Sequence, residues 1–215
     1  MIQHLDSDSR LLVRLSAAIS GADEATTRRV IDEVTGRVRA EMVDEVILQS
    51  YLFAGFPRAL NAARMWRAAS GVRAPSSDDL AESKHIGEWE RDGEATCAIV
   101  YGASYDVLRR NIRELHPALD TWMIMDGYGK VLSRPALDLK RRELCIVAAC
   151  AAAGQRRQLH SHLHGALNSG ASPGEVAETL AVLNDLVGER ELAGYQNLLA
   201  RVLSGRASQS SAGAT

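Results

Sequence analysis

Apolar residues recur at helical spacing along almost the whole chain, and this periodicity restricts it to a helical fold. Within residues 25–38, for example, one helix face would carry Val30, Ile31, Val34 and Val38. Alanine and leucine dominate the composition and aromatic residues make up only 5% of it, a balance that favours helix over sheet. We therefore predict an all-α fold, and 215 residues are enough to bury a core without metals or disulfides.

Glycine, proline and polar clusters divide the periodic pattern into separate helices. The pattern predicts helices over residues 11–19, 25–38, 42–53, 57–69, 105–125, 139–154, 155–169, 173–186 and 190–203. Gly127-Tyr128-Gly129 indicates a turn, and residues 80–102 are too weakly patterned for a prediction. The small, polar segment after residue 204 is predicted to be disordered.

Two parts of the chain resemble each other at a constant offset. Residues 43–48 (VDEVIL) align with residues 176–181 (VAETLA), 133 positions later, and Gly55 then pairs with Gly188. One interpretation is two tandem helical copies packed as a pseudo-dimer; the other is coincidence between alanine- and leucine-rich helices. The first interpretation divides the chain into a degenerate first copy (1–72), a linker or lid segment (73–104), a second copy with the candidate site (105–204) and a disordered tail (205–215).

Charge and cysteine content exclude several classes of protein. The formal net charge of -2 gives no electrostatic reason to expect nucleic acid or a membrane surface as a partner. No apolar run approaches the roughly 20 residues that span a bilayer, and residues 1–10 do not resemble a signal peptide, so we expect a cytoplasmic location. The chain has three cysteines and no CxxC motif, which does not indicate a disulfide framework.

Glu143 is an acidic residue on an apolar helical stripe that includes Ile146 and Cys150. A carboxylate among apolar side chains is costly when it is ionised and unpaired. This makes Glu143 a candidate proton donor or acceptor. The structural alternative is that Glu143 pairs with Arg141 or Arg142, or lies in the exposed first turn of the helix, where negative charge is favourable.

Three histidines alternate along the next predicted helix. His160 and His164 lie about 40° apart around the helix axis, whereas His162 lies about 160° from either. A metal site built on His160 and His164 would need ligands that the sequence does not identify, so we predict no metal. His162 borders an apolar stripe, where a half-buried neutral imidazole suits general acid/base catalysis. The alternative for His162 is a purely structural role at the edge of the core.

Three segments together resemble the carboxymuconolactone decarboxylase-like superfamily: residues 128–145 (YGKVLSRPALDLKRRELC), 158–170 (QLHSHLHGALNSG) and 51–62 (YLFAGFPRALNA). The resemblance implies an alkyl-hydroperoxidase D-like helical bundle that acts on a small organic acid or lactone without a cofactor. It places the catalytic pair at Glu143 and His162, nineteen residues apart. Arg134, or else Arg142, is a candidate to hold a substrate carboxylate through paired hydrogen bonds.

The resemblance also leads to a hypothesis of a composite site. In it, the second copy provides Glu143 and His162, and the first copy supplies Tyr51, Phe56 and Pro57 as wall residues. Members of the family form symmetric rings, and a fused pair of copies suggests a trimer. The expected partners are therefore a small-molecule substrate and further copies of the chain.

Two other functions stay open at this stage. Alkyl-hydroperoxidase D-like enzymes add a CxxC pair to the glutamate and histidine, but this chain has Gln155 and Gln158 at those positions. A peroxidase would then have to use Cys145 or Cys150. The third hypothesis is a non-catalytic helical oligomer that serves as a binding module.

Overall fold

The computed structural model describes residues 4–212, with side chains up to residue 208, and this part of the chain contains helices and no β-strand. The predicted all-α class is therefore confirmed. The α-helices are α1 (Ser7–Gly21), α2 (Glu24–Val34), α3 (Ala40–Ser70), α4 (Ile86–Tyr101), α5 (Tyr105–Leu115), α6 (Pro117–Trp122), α7 (Leu139–Ala152), α8 (Arg156–Asn168), α9 (Pro173–Ala181) and α10 (Glu189–Ala212). A π-helix (Met123–Leu132) follows α6, and short 3₁₀ turns lie at Asp79–Ala81, Ser83–His85 and Gly102–Ser104.

Polar side chains fix where several of these helices begin. Asp6, Asp23 and Asp138 each accept a hydrogen bond from the backbone N–H three residues further on. Ser172 and Glu175 form a reciprocal capping box at the start of α9. Each cap satisfies a backbone donor that the first helical turn leaves free, so these boundaries are determined locally.

Helix α3 differs from the two separate helices expected over residues 42–53 and 57–69. It runs from Ala40 to Ser70 with a single interruption at Gly55, whose φ of 80° and ψ of 160° are not helical. Glycine adopts this backbone conformation without the penalty that other residues carry. Pro57 follows in the first turn of the resumed helix, where its missing N–H is tolerated.

Helix α7 forms the centre of the core. Every residue from Arg142 to Ala151 is buried. Helix α1 packs along α7 over most of its length, and α8, α3 and α9 cover its other sides. A polar side chain on this helix is consequently held away from solvent, whichever face it lies on.

Ion pairs connect the first helix of each half of the chain to the third helix of the other half. Arg10 in α1 binds Glu178 in α9, while Arg142 in α7 binds Glu45 in α3 with an N–O distance of 2.7 Å. Glu45 and Glu178 are 133 residues apart, the offset noted in the sequence. The duplication itself stays a prediction.

Two sequence expectations between the halves were wrong. Residues 105–125 do not form one helix, because α5 ends at Leu115 and His116 is extended, with φ of -169° and ψ of 129°. The residue before a proline avoids helical conformation, and Pro117 follows His116 directly. The expected turn at Gly127 lies inside the π-helix.

The C-terminal segment also differs from the sequence expectation of a disordered tail over residues 205–215. Helix α10 continues to Ala212, and residues 213–215 lie outside the described part of the chain. Arg206 donates a hydrogen bond to the side-chain oxygen of Asn168 in α8 at 2.8 Å. This tertiary contact holds a stretch whose local composition does not favour order.

Candidate active site

Glu143 and His162 form a buried hydrogen-bonded pair between α7 and α8. The Nδ1 atom of His162 lies 2.9 Å from Oε2 of Glu143. Glu143 is fully buried and the His162 side chain is only 5% exposed. The two side chains identified from sequence are therefore brought together, and the structural alternatives for Glu143, pairing with a neighbouring arginine or exposure in the first turn, are not what is observed.

Helix α8 makes room for the Glu143 carboxylate at Gly165. A Cβ atom at Gly165 would lie within 3.2 Å of Cδ of Glu143 and 2.7 Å of a Val100 methyl group. Any larger residue would therefore displace the carboxylate or α4. Gly165 is a supporting residue that sequence analysis missed, and only the contact with Glu143 reveals its role.

The hydrogen bond determines which imidazole nitrogen can react. With Glu143 as a carboxylate, Nδ1 of His162 must carry the proton and donate it, which leaves the lone pair on Nε2. Among the described residues, Nε2 makes no hydrogen bond. The other carboxylate oxygen of Glu143, Oε1, is buried and also has no partner within the described chain.

Two tyrosines lie on the inner side of the pair. The rings of Tyr101 and Tyr128 meet edge to face, with centroids 6.2 Å apart. Burial, and to a smaller extent the negative charge of Glu143, raises the pKa of Tyr101 to about 12 and that of Tyr128 well above its ordinary value. Both phenols therefore stay protonated at physiological pH, and they provide polar groups close to Glu143 without adding charge.

An aromatic residue of the N-terminal half covers His162. The Phe53 ring in α3 contacts the imidazole edge to face, with centroids 5.8 Å apart and ring planes at 86°. Sequence analysis did not single out Phe53, although it lies inside the family-like segment 51–62. Helical periodicity alone could not show that this ring, among the aromatic residues of the segment, faces the histidine.

The three predicted wall residues lie on the same stretch of α3 as Phe53. Tyr51 stacks on Phe56 with ring centroids 4.7 Å apart. Phe56 is 63% exposed and Pro57 is exposed as well. Their role as substrate walls stays a prediction, because the described contact with His162 comes from Phe53.

The predicted carboxylate-binding arginines are occupied by protein carboxylates. Nε of Arg134 lies 2.9 Å from Glu45, and its NH2 atom lies 2.8 Å from Asp78. Arg142 is fully buried and also binds Glu45. Arg134 would have to break two ion pairs to bind a substrate, so the geometry argues against its predicted role and favours a structural one.

The remaining histidines and the cysteines offer no second reactive centre. His160 and His164 contact each other with ring centroids 5.1 Å apart. No group of three potential ligands that could hold a metal occurs within residues 4–212. Burial raises the pKa of Cys97, Cys145 and Cys150 to about 12, so these thiols are not thiolates at physiological pH.

Comparison with known proteins identifies the part of the chain that carries the pair. The model of the carboxymuconolactone decarboxylase family matches residues 118–196, from α6 into α10. This segment contains Glu143, Gly165 and His162 but not Phe53. No curated protein sequence matches the chain, and no helix among the described residues is long and apolar enough to cross a membrane.

Proposed function

Because residues 118–196 belong to the carboxymuconolactone decarboxylase family, we propose that the chain is an enzyme that acts on a small organic acid or lactone by general acid/base catalysis. His162 is the acid or base, and Glu143 orients it. The observation that carries this proposal is the 2.9 Å hydrogen bond between two buried side chains. A histidine oriented by a carboxylate is a recurrent arrangement for moving protons.

In the proposed reaction, Nε2 of His162 exchanges a proton with the substrate while Nδ1–H stays bonded to Glu143. The positive charge that develops on the imidazole then lies next to the carboxylate, which stabilises it. In a decarboxylation, the bond to the carboxyl carbon breaks and carbon dioxide leaves. The electron pair moves into the conjugated carbonyl system, and the protonated histidine returns a proton to carbon.

The proposal is tested by assaying decarboxylation of a carboxylated muconolactone. We expect turnover by the wild-type chain, and a fall in kcat of about 10²-fold or more in His162→Ala, since general acid/base groups contribute roughly 10²–10⁴-fold. His160→Gln is the matched control, because His160 is exposed on the same helix and should keep wild-type kcat. Equal activity of wild type and His162→Ala would contradict the proposed role.

A peroxidase function is the second candidate, and the state of the cysteines argues against it. We expect no rapid reaction of the native protein with a thiol reagent at pH 8, because burial raises the pKa of all three thiols to about 12. Unfolding in denaturant should release all three cysteines. A thiol that reacts in the native protein within seconds would return the peroxidase hypothesis to consideration.

We also propose, as supporting hypotheses, that the chain consists of two tandem copies and that it forms a homo-oligomer, with a trimer favoured. The reciprocal ion pairs Arg10–Glu178 and Arg142–Glu45 support the first hypothesis. Leu115 and Trp122, which are 73% and 59% exposed on α5 and α6, support the second, because exposed apolar side chains are typical of contact surfaces. A non-catalytic binding module would share both features, and the decarboxylation assay distinguishes it.

A further inference from the structure

We propose that Phe53 is a positioning residue for His162, so that the catalytic pair of the family domain is completed by the N-terminal half of the chain. Phe53 is 65 residues before the start of the matched segment at residue 118. Its ring nevertheless contacts the His162 imidazole directly, with the two planes at 86°. The positioning role rests on the proposed function of His162, whereas the contact itself does not.

The imidazole of His162 is held at two places by two different parts of the chain. Glu143 binds the ring at Nδ1, which fixes the proton on that nitrogen but acts at only one atom. Rotation about the Cβ–Cγ bond would move Nε2 away from its direction in the structure. The perpendicular Phe53 ring, 5.8 Å away between centroids, opposes that rotation, because the imidazole cannot turn without striking it.

The backbone of α3 places Phe53 for this contact. The helix is regular as far as the interruption at Gly55, two residues after Phe53. Phe53 is half-buried and packs against the core, whereas Phe56, beyond the interruption, is 63% exposed and stacks on Tyr51. The two phenylalanines of this segment are therefore in different environments, and only Phe53 has a ring contact with His162.

An edge-to-face aromatic contact contributes about 0.5–1.5 kcal/mol beyond the area that it buries. Since 1.4 kcal/mol corresponds to a factor of ten in an equilibrium constant, loss of the contact should lower the ratio of the oriented to the displaced imidazole by about two- to tenfold. The consequence for catalysis is a lower kcat at nearly unchanged KM, because the displaced histidine binds no less substrate but transfers protons less often.

The test uses the full chain and a readout that needs no substrate. The chain contains only two phenylalanines, so selective labelling of phenylalanine and histidine gives few ring signals in NMR spectra. We expect a nuclear Overhauser contact between the rings of Phe53 and His162 in the wild type. We also expect the ratio of the Nδ1–H to the Nε2–H tautomer of His162, from nitrogen shifts, to fall about two- to tenfold in Phe53→Leu.

Two further variants separate positioning from general damage to the fold. Phe53→Tyr keeps the ring and should restore the wild-type tautomer ratio, while Phe56→Leu removes the exposed ring and should leave the ratio unchanged. Absence of the ring-to-ring contact, or an equal change in Phe53→Leu and Phe56→Leu, would overturn the proposal. If the tautomer ratio responds as expected but the wild type does not turn over carboxylated muconolactone, the positioning role stands and the proposed substrate is rejected.

Discussion

Replacing Glu45 by glutamine is expected to lower the free energy of unfolding by about 3–5 kcal/mol. The Glu45 carboxylate binds Arg142 at 2.7 Å and Arg134 at 2.9 Å. Arg142 is fully buried, and burial lowers the pKa of its guanidinium against the opposing effect of Glu45. Without Glu45, this buried cation would retain only neutral partners, the side chain of Gln49 and the carbonyls of Leu137 and Arg134.

Urea denaturation of the wild type and the variants measures this effect. Glu24→Gln is the control, since Glu24 and Arg28 form an exposed pair 3.6 Å apart and its loss should cost less than about 0.5 kcal/mol. Adding Arg142→Met to Glu45→Gln should recover part of the stability, because the unpaired buried charge is then gone. A loss below about 1 kcal/mol in Glu45→Gln would show that the network is relaxed by water in solution.

Replacing Gly129 by alanine is expected to destabilise the protein by about 3 kcal/mol or more. The backbones of α4 and the π-helix are in direct contact at this glycine. A Cβ atom on Gly129 would lie 2.6 Å from the carbonyl carbon of Trp89, and one on Gly93 would lie 3.0 Å from the backbone of Ile124. Both obstacles are backbone atoms, so the methyl group can be accommodated only if the two helices move apart.

Gly87→Ala in the same helix α4 is the matched control. A Cβ atom on Gly87 would meet nothing within 4 Å, and alanine has a higher helix propensity than glycine by about 1 kcal/mol in a helix interior. We therefore expect Gly87→Ala to be neutral or slightly stabilising in thermal unfolding, while Gly129→Ala and Gly93→Ala lower the melting temperature. Similar melting temperatures for Gly87→Ala and Gly129→Ala would contradict the close approach of the two backbones.

Several features of the fold could be predicted from sequence because their causes are local. Helical periodicity predicted the all-α class, and the Ser172-Pro173 cap predicted the start of α9. The candidate pair was also accessible, since resemblance to a known family identified two positions nineteen residues apart. Physical reasoning on single residues could not decide between a catalytic and a structural Glu143, because that choice depends on what faces the carboxylate.

The errors have the opposite origin. Arg134 was a plausible substrate ligand by residue type, but Glu45 and Asp78, 89 and 56 residues away in the chain, already occupy it. The aromatic segment 51–62 was recognised, yet the wrong side chains were chosen as the site wall, because the break at Gly55 alters which face each residue presents. Order in α10 beyond residue 204 depends on a contact between Arg206 and Asn168 in another helix.

The residue pattern by itself determined the helical class, most helix starts and the identity of the catalytic pair, since these follow from periodicity, caps and short motifs within single helices. Only the tertiary structure decided that Glu143 meets His162 in a buried hydrogen bond, that Phe53 covers the imidazole and that the two nearby arginines are already paired. These features are contacts between residues far apart in the chain. They depend on how the helices pack, which the order of residues within any one helix does not specify.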